Sequence, residues 1–431
     1  MKYTNGITQG PAGRGLLAVV SGAVLLLILF PAVSASASGL SVHGSYKSYA
    51  LGIYNPAFQK HLYGLNTSTM RVQFSLYPDS WIGFDAAYLL YIQNEPQSLP
   101  RQWASFATGS TDYRAVDISR LIYPSREQDL LNLGLYHDLD RWFASIYLPH
   151  ADVYLGRQAV SWGSAKVVNP TDIFAPYSFS ELDTEQKKGV DALRVRIPVG
   201  AMNEIDAGYV AGEDFSFKNS ALFARTRLYV LQTDLSLLAV DFRESLLLGF
   251  DMARALGSAG SWAEGAYVLP DAFDSDPAEA YFAFSAGLDY SFSGNLYGYA
   301  EYHFNSAGRH DPEGYVDIMQ NPEDYPAYSE GNVYLLGRHY LTAGGSYNLM
   351  PIFPVHALAI VNLNDWSTIV SFSGEYNIAP DIYVVGGCYT GWGKKPELTT
   401  VSGETAPAVS RYRSEFGAYP DMFYTAFKVY F

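Results

Sequence analysis

Beyond residue 39, apolar and polar side chains alternate with a period of two. Phe282, Phe284, Ala286, Leu288, Tyr290 and Phe292 share one face of an extended segment, and Ala283, Ser285, Gly287, Asp289 and Ser291 share the other. After a tight turn at Ser293-Gly294-Asn295 the pattern resumes, with Leu296, Gly298, Ala300, Tyr302 and Phe304 opposed to Tyr297, Tyr299, Glu301 and His303. Gly and Asn suit such turns because both accept positive φ. Alternation of this kind is the mark of strands with one apolar face.

Read this way, the chain predicts strands near 40–54, 66–77, 81–93, 139–148, 152–162, 189–199, 203–211, 219–231, 233–243, 246–256, 260–269, 280–292, 295–306, 333–349, 355–363, 367–378, 381–392 and 420–431. That makes eighteen. Two of them, 233–243 and 246–256, carry apolar residues on both faces, and 113–122 has strand character as well, so the range is sixteen to twenty. Connections alternate in length. One side receives short turns such as 78–80, 149–151 and 200–202; the other receives the long polar segments 94–138, 163–188, 270–279, 307–332 and 393–419. A soluble sandwich has no need of that asymmetry, whereas a transmembrane antiparallel β-barrel shows it. The expected fold is all-β.

The ends agree. Lys2 and Arg14 precede the apolar run from Leu16 to Phe30, and Pro31 and small residues up to Ala37 follow, the layout of a cleaved signal peptide over 1–38. The barrel is then 39–431. At the other end Phe423, Thr425, Phe427, Val429 and Phe431 share one face. A closing strand with a terminal Phe resembles the segment that the barrel-assembly machinery of bacterial outer membranes reads.

Composition narrows the function classes. With 43 acidic and 28 basic residues the net charge is -15, which speaks against nucleic-acid binding. A single Cys excludes disulfide frameworks and thiolate metal clusters. Neither a Gly-x-Ser-x-Gly stretch nor a closely spaced His pair is present, so no catalysis and no cofactor are expected.

Gly156-Arg157-Gln158-Ala159-Val160-Ser161-Trp162-Gly163, followed by Asn169-Pro170-Thr171-Asp172-Ile173-Phe174, resembles a stretch of porin-like outer-membrane barrels, including the broad alginate-export-type group. The likeness covers about 139–199 and implies a transport barrel without a catalytic centre. Arg157 breaks the alternation set by Val153 and Leu155, and a bulge at Gly156 would turn it inward. Trp162 is expected at the membrane interface.

Strand parity gives the expected pore lining. Arg141, Arg157, Arg194, Arg196, Arg225 and Arg227 fall on earlier strands, and Asp251, Glu264, Asp289, Glu301 and Glu375 on later ones. Meeting at one height, they would make a basic wall facing an acidic wall, with a field across the pore. Glu204 and Asp206, between the arginine strands, offer local pairing instead. The loop 163–188, with Glu181, Asp183, Glu185, Lys187 and Lys188, reads as a solvated surface loop. The leading function is a channel in the cell outer membrane, embedded in its lipid, for small hydrophilic or anionic solutes. Two alternatives remain: a sheath for a periplasmic partner such as a multihaem cytochrome, and a polysaccharide exporter. A homo-oligomer stays open, since no interface patch stands out from the lipid face.

Overall fold

The computed structural model describes residues 39–55, 59–94, 113–118, 120–124, 133–177, 181–275, 277–292, 294–331, 333–399 and 408–431. The expected signal peptide lies outside them. The first strands are β1 (Leu40–Asn55), β2 (Gln59–Asp79), β3 (Ile82–Asn94), a short β4 (Leu121–Tyr123), β5 (Leu133–Tyr147) and β6 (Asp152–Gln158). There follow β7 (Val190–Val199), β8 (Asn203–Ala211), β9 (Ala221–Val230), β10 (Thr233–Phe242), β11 (Ser245–Leu256) and β12 (Ala259–Leu269). The remainder are β13 (Tyr281–Ser291), β14 (Leu296–Asn305), β15 (His339–Met350), β16 (Phe353–Asn362), β17 (Thr368–Ala379), β18 (Ile382–Trp392), β19 (Glu397–Thr399), β20 (Ala408–Arg411) and β21 (Asp421–Tyr430).

Each long strand pairs antiparallel with its neighbour, and β21 pairs with both β18 and β1. The result is a closed 18-stranded antiparallel barrel. β4 adds to β5 at the mouth, and β19 and β20 form a separate hairpin in the last long connection. Closure removes free sheet edges, as a membrane demands of every backbone polar group. The expected strands are present with shifted ends: β2 and β5 begin earlier, β15 begins later, and β6 stops at Gln158.

Outward positions are apolar and exposed. Leu193, Leu222, Leu237, Leu248, Leu288, Leu341 and Phe372 form the belt that faces lipid. Tyr77, Trp81, Tyr229, Phe292, Tyr347 and Tyr376 stand beside the short turns, and Tyr267, Trp366 and Trp392 lie toward the long loops. These are the two aromatic girdles of a membrane-spanning barrel. Cys388 is flanked across the strands by the outward Phe372 and Phe423, on the lipid side as its parity predicts.

Two irregularities re-aim side chains. In β5, Asp140 is an extra residue against β3, so that Asp140 and Arg141 are both buried inside. In β6 there is no such register shift. Gly156 takes φ +117, a conformation that disfavours any side chain, and a Cβ there would strike the Trp142 carbonyl. The strand turns over at this residue. Trp142 is 65% exposed, while its cross-strand partner Arg157 is 6% exposed. Arg157 thus enters the lumen as expected, through a glycine inversion rather than a bulge.

A cation on the lipid belt tests this orientation. Leu193→Arg, in β7, is expected to lower stability by about 2–4 kcal/mol, the cost of a mid-membrane arginine on a barrel. Urea titration of the protein folded in lipid vesicles, against Leu193→Ala, measures it.

Candidate functional site

The connection between β6 and β7 decides the shape of the lumen. It is not the solvated surface loop that its charges suggest. It leaves β6, crosses to β11–β14, and returns past β21, β1 and β5 to β7. The crossing is fixed by two carboxylates that the barrel wall presents inward. Glu264 is fully buried; it accepts from Thr171 N at 2.9 Å and Thr171 Oγ1 at 2.7 Å, and from Ala165 N at 3.1 Å and Asn169 Nδ2 at 3.2 Å. Glu301, also buried, accepts from Lys166 N at 2.6 Å, Val167 N and Val168 N at 3.2 Å each, and Trp262 Nε1 at 2.9 Å. Asp251 takes the Ser164 hydroxyl. Lys166 reaches Asp289 at 3.4 Å and lies over the Trp262 ring.

A buried carboxylate is tolerable only when its oxygens are hydrogen-bonded, and hydrogen bonds to a charged group contribute about 1.5–3 kcal/mol each. Here the donors are chiefly loop amides, which need acceptors of their own. Asn169-Pro170-Thr171-Asp172 turns at this dock, with Asp172 N donating to Asn169 O at 3.2 Å. The motif therefore anchors the loop to the opposite wall. Gly163, at φ +105, permits the approach; a Cβ would sit 2.6 Å from the Glu264 carboxylate.

Apolar packing holds the same loop. Trp162, Ile173 and Phe174 meet Phe223 of β9, Leu238, Val240 and Phe242 of β10 and Leu247 of β11. Trp162 is buried, with its ring 5.4 Å from Phe174 and 4.9 Å from Phe223, so it belongs to this cluster rather than to the membrane interface. The apolar inward faces of β10 and β11, which spoiled their alternation, are the docking surface.

The expected pore-lining residues separate into groups. Arg194 binds Asp206 at 2.6 and 2.8 Å, and Arg196 binds Glu204 at 2.5 Å. Arg225 and Arg227 lie opposite those same two acids across β8–β9, half-buried, with Arg225 donating to Ser236 Oγ at 2.9 Å. Arg141 pairs with Asp140 at 2.9 Å and donates to the Lys187 carbonyl. Arg157 grips Asp191 at 2.7 and 3.0 Å, and also Asp117 and the carbonyls of Val116 and Leu139. Glu375 pairs with Lys428 at 3.1 Å. The expected basic and acidic walls do not face each other across open water. Glu264 and Glu301 are occupied by the loop, and the arginines of β7 pair with the next strand.

Residues that parity alone left out complete the lumen. Tyr113, Arg114 and Ala115, from the connection before β4, are buried beside the infolded loop; Arg114 binds Asp138 and donates to Gly189 O. On the far side Lys47 and Lys428 hold the returning part of the loop through Asp183 and Glu185. Over the mouth, helix α1 (Tyr315–Gln320) and the segment 412–419 form a cap. Its centre is the fully buried Glu415, which accepts from Tyr340 Oη at 2.5 Å, Asn362 Nδ2 at 2.8 Å and Leu336 N at 3.0 Å. Its burial pushes the carboxyl up to about 7.

No family model matches the chain, and no curated protein matches it. Solved structures do match, over most of their length. OccAB2 of Acinetobacter baumannii aligns with TM-score 0.55 at 8% identity, over 91% of this chain and 98% of that one. A BenF-like porin from Pseudomonas fluorescens gives 0.54 at 11%, and the outer membrane protein OpdK of Pseudomonas aeruginosa 0.54 at 9%, each with the same coverage. The chain has a porin-like barrel fold. At these identities the likeness is one of architecture, and the charges inside must be read from this chain itself.

Two outcomes test the lumen. Glu301→Gln places an amide donor against two of the four donors now satisfied, and is expected to loosen the loop by about 3 kcal/mol. Faster tryptic cleavage after Lys166 or Lys187 in folded protein would report it. Glu415 sets a pH dependence for the cap. Its folded pKa lies above the ordinary 4.5, so its contribution is complete below about 4.5 and is lost as pH rises through about 7. Proteolysis of the cap at pH 8 relative to pH 5 should therefore rise, and Glu415→Gln should flatten the dependence.

Proposed function

We propose that the protein is an outer-membrane, porin-like channel for small hydrophilic solutes with a preference for anions. The carrying observation is a closed 18-stranded barrel, apolar outside and charged inside, whose infolded loop narrows the lumen. Barrels of this strand number enclose an aqueous space. Within it, β7–β9 set Arg194, Arg196, Arg225 and Arg227 against Glu204 and Asp206. On β7–β9 alone four guanidiniums meet two carboxylates, with Asp152 of β6 opposite Arg196 and Asp251 of β11 near Arg225 at the borders of the patch, and the excess on these three strands favours anions locally. Solutes are small because the loop and the cap share the lumen. β21 would be the segment that the assembly machinery reads.

The same observations weigh on the other readings. A sleeve around a multihaem cytochrome needs an empty lumen, and here the loop is hydrogen-bonded across it. Polysaccharide export, which the alginate-export-type likeness implied, favours a continuous basic lining; Arg194 and Arg196 are instead neutralised by neighbours.

Single-channel recording tests the proposal. Steady conductance is expected, with a reversal potential in a KCl gradient that favours chloride. Arg225→Ala with Arg227→Ala should lower that preference by roughly a factor of two. A barrel that never conducts would end the channel reading.

A further inference from the structure

Behind the returning part of the infolded loop, β1, β2 and β3 present inward rows in register. Tyr49 pairs with Thr67, Leu51 with Leu65, and Thr69 with Tyr91. Leu182, from the loop, packs against the apolar end of this wall. Between wall and loop lies a cavity of about 180 Å³, whose lining includes Tyr49, Leu51, Leu65, Thr67, Leu89 and Leu182. An apolar cavity of roughly 150 Å³ holds a benzene ring, so this one has room for a six-membered ring with substituents. Tyr91, at its side, is fixed by stacking on Tyr136 with ring centroids 5.1 Å apart.

Two hydroxyls of this lining are unspent. Tyr49 and Thr67 are each 7% exposed, and Tyr49 Oη and Thr67 Oγ1 are buried with no hydrogen-bond partner among the described residues. Buried polar groups are rarely left so, because their desolvation is then uncompensated. The two residues face each other on neighbouring strands and line the same cavity. The cations around the cavity are in the opposite state. Lys47 is 2.8 Å from Asp183, Arg114 donates to Asp138 at 3.0 Å, Arg120 to Asp117 at 2.8 Å, and Arg71 to Asp140. Lys188 has the Glu181 carboxylate nearby. An ion entering here must break an existing pair, whereas a hydroxyl meets two groups that lack partners.

We propose that this cavity binds small uncharged ring alcohols of the phenol class, with the ring against Leu51, Leu65, Leu89 and Leu182 and its hydroxyls on Tyr49 and Thr67. A hydroxyl both donates and accepts, so it suits either group. A sugar-like polyol carries hydroxyls on every side and would leave most of them against leucine. The site adds an uncharged solute to a lumen whose β7–β9 patch favours anions. Its role as a step in passage rests on the channel reading; the binding does not.

The test is calorimetric titration of resorcinol into the detergent-purified protein, with benzoate and glucose as comparisons. Saturable binding of resorcinol is expected, tighter than that of either comparison. Tyr49→Phe with Thr67→Val should weaken it roughly tenfold, the loss of two neutral hydrogen bonds. These substitutions remove hydroxyls that have no partner, so the urea midpoint should hold and a weaker affinity cannot be laid to misfolding. No binding, an affinity unchanged in the double variant, or tighter binding of benzoate or glucose overturns the site. A second measurement uses the unaltered protein. Resorcinol held between wall and loop should slow tryptic cleavage at Lys188, and unchanged cleavage overturns the placement. Conductance, measured separately, bears on the channel: a silent barrel that still binds resorcinol refutes passage and leaves the site standing.

Discussion

Two carboxylates buried in the barrel wall, Glu264 and Glu301, govern the interior. Each would be intolerable alone at that depth, and each needs donors, whereas the backbone donors of a wall of strands are already spent on its own ladder. The loop between β6 and β7 brings unspent amides from Ala165 to Thr171, which need acceptors in turn. One set of bonds therefore settles two demands. The apolar cluster around Trp162 and Phe174 adds burial but little direction. The carboxylates fix where the crossing lies, and so what remains of the lumen.

That arrangement divides the charges by task. Acids on β12 and β14 hold backbone and are withdrawn from the solute path. Arginines on β7 are balanced one strand away, and β9 adds Arg225 and Arg227 opposite the same two acids. At the seam, Lys47 of β1 is balanced by Asp183 and Glu185 of the infolded loop, and Lys428 of β21 by Glu185 together with Glu375 of the wall. A field across the whole pore gives way to short-range pairs, because a bond of 2.5–3 Å in a partly dry interior outweighs attraction over a barrel diameter.

The wall was legible because its physics is local. Period two, turn residues and the alternation of short and long connections are properties of neighbouring positions, and they placed eighteen strands nearly as found. Lumen-facing parity was legible for the same reason, and even Arg157 could be sent inward. The contents of the lumen depend on which distant segments meet. Nothing near Lys187 signals that the loop returns beside Lys47, and Trp162 at an apparent strand end suits a membrane interface as well as a buried cluster. A signal did exist. Leu238, Val240, Phe242 and Leu247 are apolar on the parity that should meet water. In a barrel with a lipid-facing outside, apolar residues inside require an apolar partner inside, and only an infolded loop supplies one.

The cap and the loop form one stack. Tyr334 Oη donates to the Val167 carbonyl at 3.3 Å, and Ala327, Tyr328 and Val333 pack against the cluster that buries Phe174. Val167 is in turn held by Glu301. The order is thus wall, loop, cap, each resting on the one below. Glu415 ties the cap to the upper barrel through Tyr340 and Asn362 without touching the loop. Two fastenings of different chemistry follow. The lower is made chiefly of backbone amides on carboxylates that the wall holds fixed; the upper centres on the buried Glu415, whose carboxyl is pushed up to about 7, with further bonds from Glu415 N to Asp365 and from Phe416 N to Ser367 Oγ. A change that frees the cap need not free the crossing, whereas loosening the crossing withdraws the floor on which part of the cap rests. Control of the mouth is therefore separable from the constriction below it in one direction only.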